Sequence, residues 1–183
     1  MAVLDTLHPM RHHGFDVDII AVGEGLLKAL FVFKNHFTRH TNQKCGYFGN
    51  VLIEQPVFLD LMQVLQIHQD QIARYGGSDG LRDMDLLQSA VAMPSAGFGG
   101  EYAHSTLFEM AAAYLFHLVK NHPFVDGNKR VGTATALVFL SLNGWAVECS
   151  DDQLVEAVLD VISGKIGKAE LAALFKHLAV PED

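Results

Sequence analysis

The sequence predicts an all-α domain of about six helices, with a charged loop between the two central helices. Apolar residues recur at helical spacing through most of the chain after residue 55, whereas the best strand signal, WAVEC, is short. Half of the 183 residues are apolar, which is enough for the core of a single domain. The sequence contains no internal repeats and no low-complexity tracts.

The first two helices of this domain are marked by their ends. PVFLDLMQVLQIHQDQIARY opens with a proline, which suits a first helical turn, and its apolar pattern stops at Gly76. Asp83 is a suitable N-cap for the next helix, MDLLQSAVAM, which Pro94 ends. The segment that follows, SAGFGGEYAH, has the composition of a glycine-rich loop.

The two central helices are the most apolar. A capping box, Thr106-x-x-Glu109, starts LFEMAAAYLFHLVK, and VGTATALVFLSLNG follows the charged loop and ends at Gly144. Both segments are apolar on nearly all faces, so we expect them to run through the centre of the fold. A second capping box, Ser150-x-x-Gln153, begins DDQLVEAVLDVIS, and KAELAALFKHL completes the helices.

Composition divides the chain near residue 52, so we expect an N-terminal extension over 1–51 and the helical domain over 52–183. Residues 1–50 hold five Lys or Arg against four Asp or Glu, and the remainder holds eight against seventeen. One helix, GEGLLKALFVFKNHF, is predicted in the extension, which is otherwise either disordered or the product of a misassigned start. Five histidines lie there without a carboxylate or thiolate ligand among the closest of them, so a surface role is favoured over a metal site. They are His8, His12, His13, His36 and His40.

Charge and cysteine content limit the classes of function. The net charge of −8 argues against a nonspecific nucleic-acid binder, which needs a basic face, so no direct nucleic-acid binding is expected. Two cysteines, Cys45 and Cys149, are too few for a disulfide framework or a thiolate metal site, which favours a reducing, cytoplasmic setting. The sequence has no apolar run of the roughly 18 residues needed to span a bilayer and no signal-peptide pattern. A soluble protein that does not contact a membrane is therefore predicted.

The segment HPFVDGNKR, from His122 to Arg130, concentrates the chemistry. Gly127, Asn128, Lys129 and Arg130 stand where a loop becomes a helix, and the first amides of a helix have no internal partners and carry the positive end of its dipole. Glycine lets an oxyanion approach the backbone, and two adjacent cations add positive charge. The pattern therefore predicts a phosphate-binding site.

Two further side chains of this segment suggest a reaction. Asp126 suits a Mg²⁺ ion, which proteins usually hold by one or two carboxylates together with phosphate oxygens. His122 can accept a proton near neutral pH and is the candidate general base. Phe124 is expected to plug into the core. The residues alone predict phosphoryl or nucleotidyl transfer to a hydroxyl, and they leave these two reactions open.

A purely structural role is the alternative, since helix corners commonly use His or Asn as caps and Asp-Gly as a turn. A corner between two buried helices has little reason to gather so many polar groups unless a ligand binds there. The conjunction of these groups, more than any one of them, favours a functional site.

This segment resembles the signature loop of the Fic/Doc superfamily, His-x-Phe-x-(Asp/Glu)-Gly-Asn-Gly-Arg-x-x-Arg. Six positions match, namely His122, Phe124, Asp126, Gly127, Asn128 and Arg130. Lys129 replaces the second glycine and Thr133 replaces the final arginine, and both departures resemble the Doc ("death on curing") branch of toxins. The likeness extends from about residue 54 to the C-terminus and implies a Fic/Doc-like helical catalytic domain over 52–183.

The resemblance implies an activity and a role for each residue. His122 would activate a target hydroxyl, Asp126 would hold Mg²⁺, and the run Gly127, Asn128, Lys129 and Arg130 would bind the phosphates of ATP. In the Fic branch the glycine leaves room for an orientation of ATP that transfers AMP. A lysine there, as in the Doc branch, implies the reversed nucleotide and transfer of the γ-phosphate. The chain is thus expected to be an ATP-dependent Ser/Thr protein kinase.

The resemblance also implies partners. The Doc target is a threonine of elongation factor Tu, whose phosphorylation blocks translation, and a cognate antitoxin restrains the toxin in trans. The segment 96–104 resembles in position the flap that aligns the target chain in Fic-type enzymes, where Phe98 and Tyr102 either contact the target or pin the loop. Two alternatives stay open: a Fic-like protein adenylyltransferase and a noncatalytic nucleotide- or partner-binding module.

Overall fold

The computed structural model describes residues 46–48, 51–53 and 55–182 and contains six helices over these residues. They are α1 (Leu61–Tyr75), α2 (Met84–Ala92), α3 (Leu107–Asn121), α4 (Asn128–Leu142), α5 (Asp151–Ser163) and α6 (Lys168–Leu178). The prediction of an all-α domain of about six helices, with the charged loop between two central helices, is confirmed. No helix in this described part of the chain is both long and apolar enough to cross a bilayer.

Side-chain caps fix the starts of three helices at the residues where the sequence predicted them. Asp83 accepts a hydrogen bond from the amide of Leu86, and full capping boxes start α3 at Thr106 and α5 at Ser150. Each cap satisfies an amide that has no partner within its helix. These three starts, and the whole extents of α5 and α6, agree with the sequence predictions.

The first helix starts later than its sequence predicts. The predicted helix opened at Pro56, but α1 begins at Leu61 because Asp60 and Gln63 form a capping box. The buried hydroxyl of Tyr114 on α3 donates to the carbonyl of Leu59 and accepts from its amide. These two bonds hold the residues before α1 against the central helix and satisfy backbone groups that α1 would otherwise have used.

Helices α3 and α4 form the centre of the domain. Nearly every residue of α4 is buried, and α3 packs against both α4 and α6. A Cβ atom at Gly132 would lie 3.0 Å from Val119 Cγ2 and 3.2 Å from the carbonyl oxygen of Leu115. The glycine therefore allows the two helices to approach each other closely, and the loop that joins them is held on a rigid base.

Short antiparallel strand pairs complete the fold. Strand β1 (Gly46–Phe48) pairs with β2 (Val51–Ile53), β3 (Gly97–Phe98) with β4 (Glu101–Tyr102), and β5 (Trp145–Val147) with β6 (Ala179–Pro181). The strand predicted in WAVEC is confirmed as β5, and its partner β6 carries no recognisable strand signal. The glycine-rich loop after α2 is a hairpin, because Gly99 and Gly100 adopt positive φ angles that allow a tight turn.

The predictions for the first part of the chain stay untested. The helix predicted at 23–37 and the five histidines of the extension lie outside the described residues. The division between 1–51 and 52–183 therefore remains a prediction from composition.

Candidate active site

The signature loop, which we define as His122–Arg130, begins at the C-cap of α3 and ends in the first turn of α4. His122 is the C-cap and has a left-handed backbone, with φ 54° and ψ 52°. It is the only non-glycine residue with positive φ in the described part of the chain. This conformation turns the chain sharply at the end of α3 and leaves the imidazole exposed to solvent. The ring is therefore accessible from solvent.

Asn128 closes the loop through three hydrogen bonds. Its Oδ1 accepts from the amide of Phe124, and its Nδ2 donates to the carbonyl of Phe124, each at 2.9 Å. Because an amide N–H can only donate, the first bond fixes which way the Asn128 side chain points. Its Nδ2 also lies 3.1 Å from Nδ1 of His122. Nδ1 is therefore the acceptor, and the neutral imidazole carries its proton on Nε2.

The surroundings of His122 favour the neutral ring. Partial burial lowers its pKa, and the positive charges of Arg82 and Lys129 lower it further, against the opposing charge of Asp126. The guanidinium of Arg82 donates to the carbonyl of Asn121 at 3.0 Å. This bond places Arg82 beside the C-terminal end of α3, next to His122. A neutral imidazole is the form that can act as a base.

The carboxylate of Asp126 is held from three directions. Its Oδ1 accepts from the amide of Gly127 at 2.6 Å and its Oδ2 from the amide of Ser78 at 3.1 Å. Nη2 of Arg130 lies 3.7 Å from Oδ2. The two amide donors and the nearby guanidinium all place positive charge beside the carboxylate. The amide of Gly127, which the sequence assigned to a phosphate, serves this carboxylate in the structure.

Arg130 lies beneath the loop, with only 1% of its side chain exposed. Its Nη1 donates to the carbonyl of Gly76 at 3.0 Å and approaches that of Gln71 at 3.4 Å, at the end of α1. The guanidinium therefore ties the start of α4 to the end of α1 and neutralises Asp126. It also lies along the floor of the site, where it adds positive charge, and its contact with a phosphate remains a prediction.

His68 on α1 supports the loop from behind. Its ring stacks on Phe124 with 4.0 Å between centroids, and Nε2 lies 3.1 Å from the carbonyl oxygen of Asp126. A carbonyl can only accept, so Nε2 carries the proton and donates. Burial lowers the pKa of His68. Phe124 is buried, as the sequence predicted. The role of His68 was not predicted, because the residue has the spacing of a core position in its helix.

The first turn of α4 borders a small cleft. The cleft is lined by His122, Val125 and the run 126–130, and it encloses about 90 Å³. Gly127 is the N-cap of α4 in a left-handed conformation and provides no side-chain cap for the first amides. Thr133, at the position of the second Fic arginine, is buried and bonds to the carbonyl of Lys129 at 2.9 Å. The cleft therefore unites an imidazole, a carboxylate and a helix N-terminus.

The two aromatic residues of the hairpin 97–102 lie in different environments. The Tyr102 ring packs against Phe58 at 5.5 Å between centroids, and its hydroxyl lies 3.4 Å from Oε1 of Gln55. Phe98 is 95% exposed near the tip of the hairpin. Tyr102 thus pins the hairpin to the domain, whereas Phe98 presents an apolar ring to solvent.

Comparison with known proteins places these features in a family context. A family model described as Fic/DOC matches residues 58–140, which include the signature loop. The chain is 42% identical to the toxin Doc of Mycolicibacterium smegmatis over 89 residues, which cover 49% of this chain and 67% of that protein. It is 30% identical to the protein kinase doc of Escherichia phage P1 over 116 residues, or 63% of this chain and 90% of that protein.

Proposed function

This chain belongs to the Fic/Doc family, in its Doc branch, and on that premise we propose that it is a toxin with protein kinase activity. The reaction is transfer of the γ-phosphate of ATP to a Ser or Thr hydroxyl of a target protein. The observation that carries the proposal is the arrangement of one loop, in which an exposed neutral imidazole, an ionised carboxylate and a helix N-terminus line the same cleft. The names of the two relatives, a toxin and a protein kinase, support it.

The residues of the cleft fit Mg²⁺ in the manner typical of nucleotide-dependent enzymes. The described residues contain no group of three or more His, Cys, Asp or Glu side chains that could hold a metal ion by themselves. The partly exposed carboxylate of Asp126 would supply one oxygen ligand, and phosphate oxygens and water would supply the rest. When bound, the ion would neutralise charge on the phosphates during transfer.

The cleft fits the phosphate end of ATP. Its volume of about 90 Å³ is well below the roughly 300–1,000 Å³ of pockets that enclose a whole ligand. A phosphoryl group can enter, while the ribose and the base lie outside. The uncapped N-terminus of α4 provides amide donors and a favourable dipole, and Lys129 and Arg130 add positive charge.

The proposed reaction moves one proton and exchanges one phosphorus–oxygen bond. The target hydroxyl oxygen bonds to the γ-phosphorus, the bond from that phosphorus to the β,γ-bridging oxygen breaks, and ADP leaves. The hydroxyl proton passes to His122. In the resting structure the acceptor nitrogen, Nδ1, faces the Asn128 amide. The ring must give up this contact to receive the proton, so target binding and release of Asn128 are coupled.

The finer assignments follow the Doc branch. We propose elongation factor Tu as the target and inhibition of translation as the consequence, with a cognate antitoxin that restrains the toxin in trans. Protein adenylylation, in which AMP is transferred, is the second candidate, because the Fic/Doc family model does not separate the two reactions. Lys129 favours the kinase, since its side chain stands where the Fic branch has a glycine.

The test is an intact-mass measurement on elongation factor Tu after incubation with this protein, ATP and Mg²⁺. We expect a gain of one phosphate that is lost with the His122→Ala variant. His177→Ala, which removes an exposed histidine on α6, is the matched control and should retain activity. A gain of AMP would overturn the kinase assignment in favour of adenylylation. Growth inhibition that survives His122→Ala would instead indicate a noncatalytic binding module.

A further inference from the structure

The turn Gly77–Ser78 contacts the proposed metal ligand although it lies far away in the sequence. The amide of Ser78 donates to Oδ2 of Asp126 at 3.1 Å across a separation of 48 residues. The same oxygen faces the guanidinium of Arg130 at 3.7 Å. The hydrogen bond and the ion pair on Oδ2 thus come from two different parts of the chain, and the other oxygen, Oδ1, accepts from the neighbouring amide of Gly127.

Gly77 is the position where this approach leaves no room. A Cβ atom built on Gly77 would lie 2.2 Å from Oδ2 of Asp126 and 3.0 Å from Nη2 of Arg130. Its φ of +111° also lies in the region that favours glycine. Any side chain at this position would push the carboxylate out of its present orientation or displace the turn itself.

Neighbouring contacts fix the turn relative to the loop. The amide of Val125 donates to the carbonyl of Gly80 at 3.0 Å, and Leu81 forms an antiparallel bridge with Phe124. The amides of Arg82 and Asp83 both donate to the carbonyl of Pro123. The backbone after the turn is therefore joined to the first half of the signature loop, and the position of the Ser78 amide follows from that of the loop.

We propose that the turn Gly77–Ser78 is a positioning element that orients the carboxylate of Asp126 toward a bound divalent cation. The inference rests on the proposed function, in which Asp126 is the protein ligand of Mg²⁺. With Oδ2 held by the Ser78 amide and Oδ1 by the Gly127 amide, the carboxylate cannot rotate, and its remaining electron pairs point in fixed directions. Residue 77 must be glycine because a side chain there would collide with the Asp126 carboxylate, to which the next amide, that of Ser78, donates.

The test measures binding of Mn²⁺ to the full chain in the presence of a nonhydrolysable ATP analogue, by electron paramagnetic resonance of the free ion. Gly77→Ala should weaken Mn²⁺ binding by about 10- to 100-fold, as replacement of a partner that orients a metal ligand commonly does. Ser78→Ala keeps the amide and should bind Mn²⁺ as the wild type does.

Two glycine variants control for backbone strain. Gly144→Ala has φ +83° and Gly164→Ala has φ +77°, and both place the added carbon in open space outside the signature loop and the turn. Both should lose thermal stability comparably to Gly77→Ala and keep their affinity for Mn²⁺. Equal Mn²⁺ affinity in Gly77→Ala and in these controls would overturn the positioning role.

Two measurements separate this inference from the proposed function. If Asp126→Ala binds Mn²⁺ as tightly as the wild type, the metal role of Asp126 fails and the inference fails with it. If Asp126→Ala loses the ion while Gly77→Ala keeps it, only the inference fails. If Gly77→Ala does not fold, the NMR resonance of the Ser78 amide in the wild type tests the inference instead. We expect that resonance to shift on addition of Mg²⁺ with the ATP analogue, and an unchanged resonance would contradict the inference.

Discussion

The signature loop 122–130 and the hairpin 97–102 belong to the same domain but are stabilised in opposite ways. Within the loop, the side chains of Asn128 and Arg130 are buried and bonded to backbone of the loop or of α1. The hairpin has strands of two residues each, a turn at Gly99 and Gly100 with open space around it, and an exposed ring at Phe98. One region is fixed by many internal bonds, and the other leaves most of its surface to solvent.

Under the proposed function, this difference predicts a separate role for each region. Phosphoryl transfer needs groups placed to within a fraction of an ångström, and the buried hydrogen bonds of the loop would supply that precision. Recognition of a target protein tolerates adjustment but needs exposed apolar surface, which Phe98 near the tip of the hairpin would provide. Substitutions in the loop should therefore affect stability and chemistry together, whereas substitutions in the hairpin should affect target binding alone.

The largest effect on stability is expected at the floor of the loop. Arg130→Met keeps most of the side-chain volume but removes the donors to Gly76 and the charge facing Asp126, so we expect a loss of about 3 kcal/mol in the free energy of unfolding. Urea denaturation measures it. Arg74→Met, which breaks an exposed ion pair with Asp70 on α1, should cost less than about 1 kcal/mol. Equal losses in the two variants would contradict the view that the loop is fixed from below.

Asn128→Ala tests the closure of the loop. The amide and carbonyl of Phe124 would both lose their partner in a buried position, which should cost about 2 kcal/mol of unfolding free energy. Asn121→Ala removes a single bond to the carbonyl of Leu86 and should cost less.

Asn128→Ala also removes the contact with Nδ1 of His122. We therefore expect ¹⁵N NMR to show a neutral ring with its proton mainly on Nε2 in the wild type and a mixture of tautomers in Asn128→Ala. A mixture already in the wild type would refute the assigned contact.

A smaller effect is expected at the rim of the site. Arg82 lowers the pKa of His122 by its positive charge, so Arg82→Gln should raise that pKa toward the ordinary value of histidine. The neutral ring would then appear only at higher pH, and the acidic limb of the activity profile would move to higher pH with it. An NMR titration of the His122 ring measures the shift directly. Arg82→Lys should leave the pKa nearly unchanged, and high salt should reduce the effect because Arg82 is exposed.

The smallest effect on the fold is expected in the hairpin. Phe98→Ser removes a ring that is 95% exposed, so the free energy of unfolding should change by less than about 0.5 kcal/mol. The Michaelis constant for the protein target should rise, while the turnover number at saturating target stays the same. A lower turnover number with an unchanged Michaelis constant would show that the hairpin belongs to the chemical part of the site.

The parts of the fold that could be predicted are those set by short stretches of sequence. The helices capped by Asp83, Thr106 and Ser150 are set by hydrogen bonds within four residues, so their starts could be predicted directly. The start of α1 was misplaced because a proline at residue 56 suggested a helix, while the cap at Asp60 and the distant Tyr114 hydroxyl decided it. Strand β6 pairs with β5 across more than thirty residues, and a local pattern contains no such information.

The candidate site likewise has a part that could be predicted from neighbouring residues and a part that could not. Its contiguous part, from His122 to Arg130, could be identified because nine neighbouring residues carry the relevant groups. The residues that support the loop from α1 and from the turn after it could not be identified. His68 and Ser78 are distant from Asp126 in the sequence, and only the folded chain brings them into contact with it. The predicted end of the first helix at Gly76 is correct, but no local pattern indicated that a side chain at residue 77 would meet the carboxylate of Asp126.

The left-handed backbone of His122 has a consequence for selection and for protein production. A histidine in this conformation is strained by roughly 1–2 kcal/mol relative to the ordinary helical region, whereas glycine and asparagine adopt it readily. Substitution by either would remove the proposed base without harm to folding. Folding quality control would therefore pass inactive copies, and only selection for activity would retain the histidine. Under the proposed function, His122→Asn should give a nontoxic, well-folded form with which to isolate the proposed antitoxin.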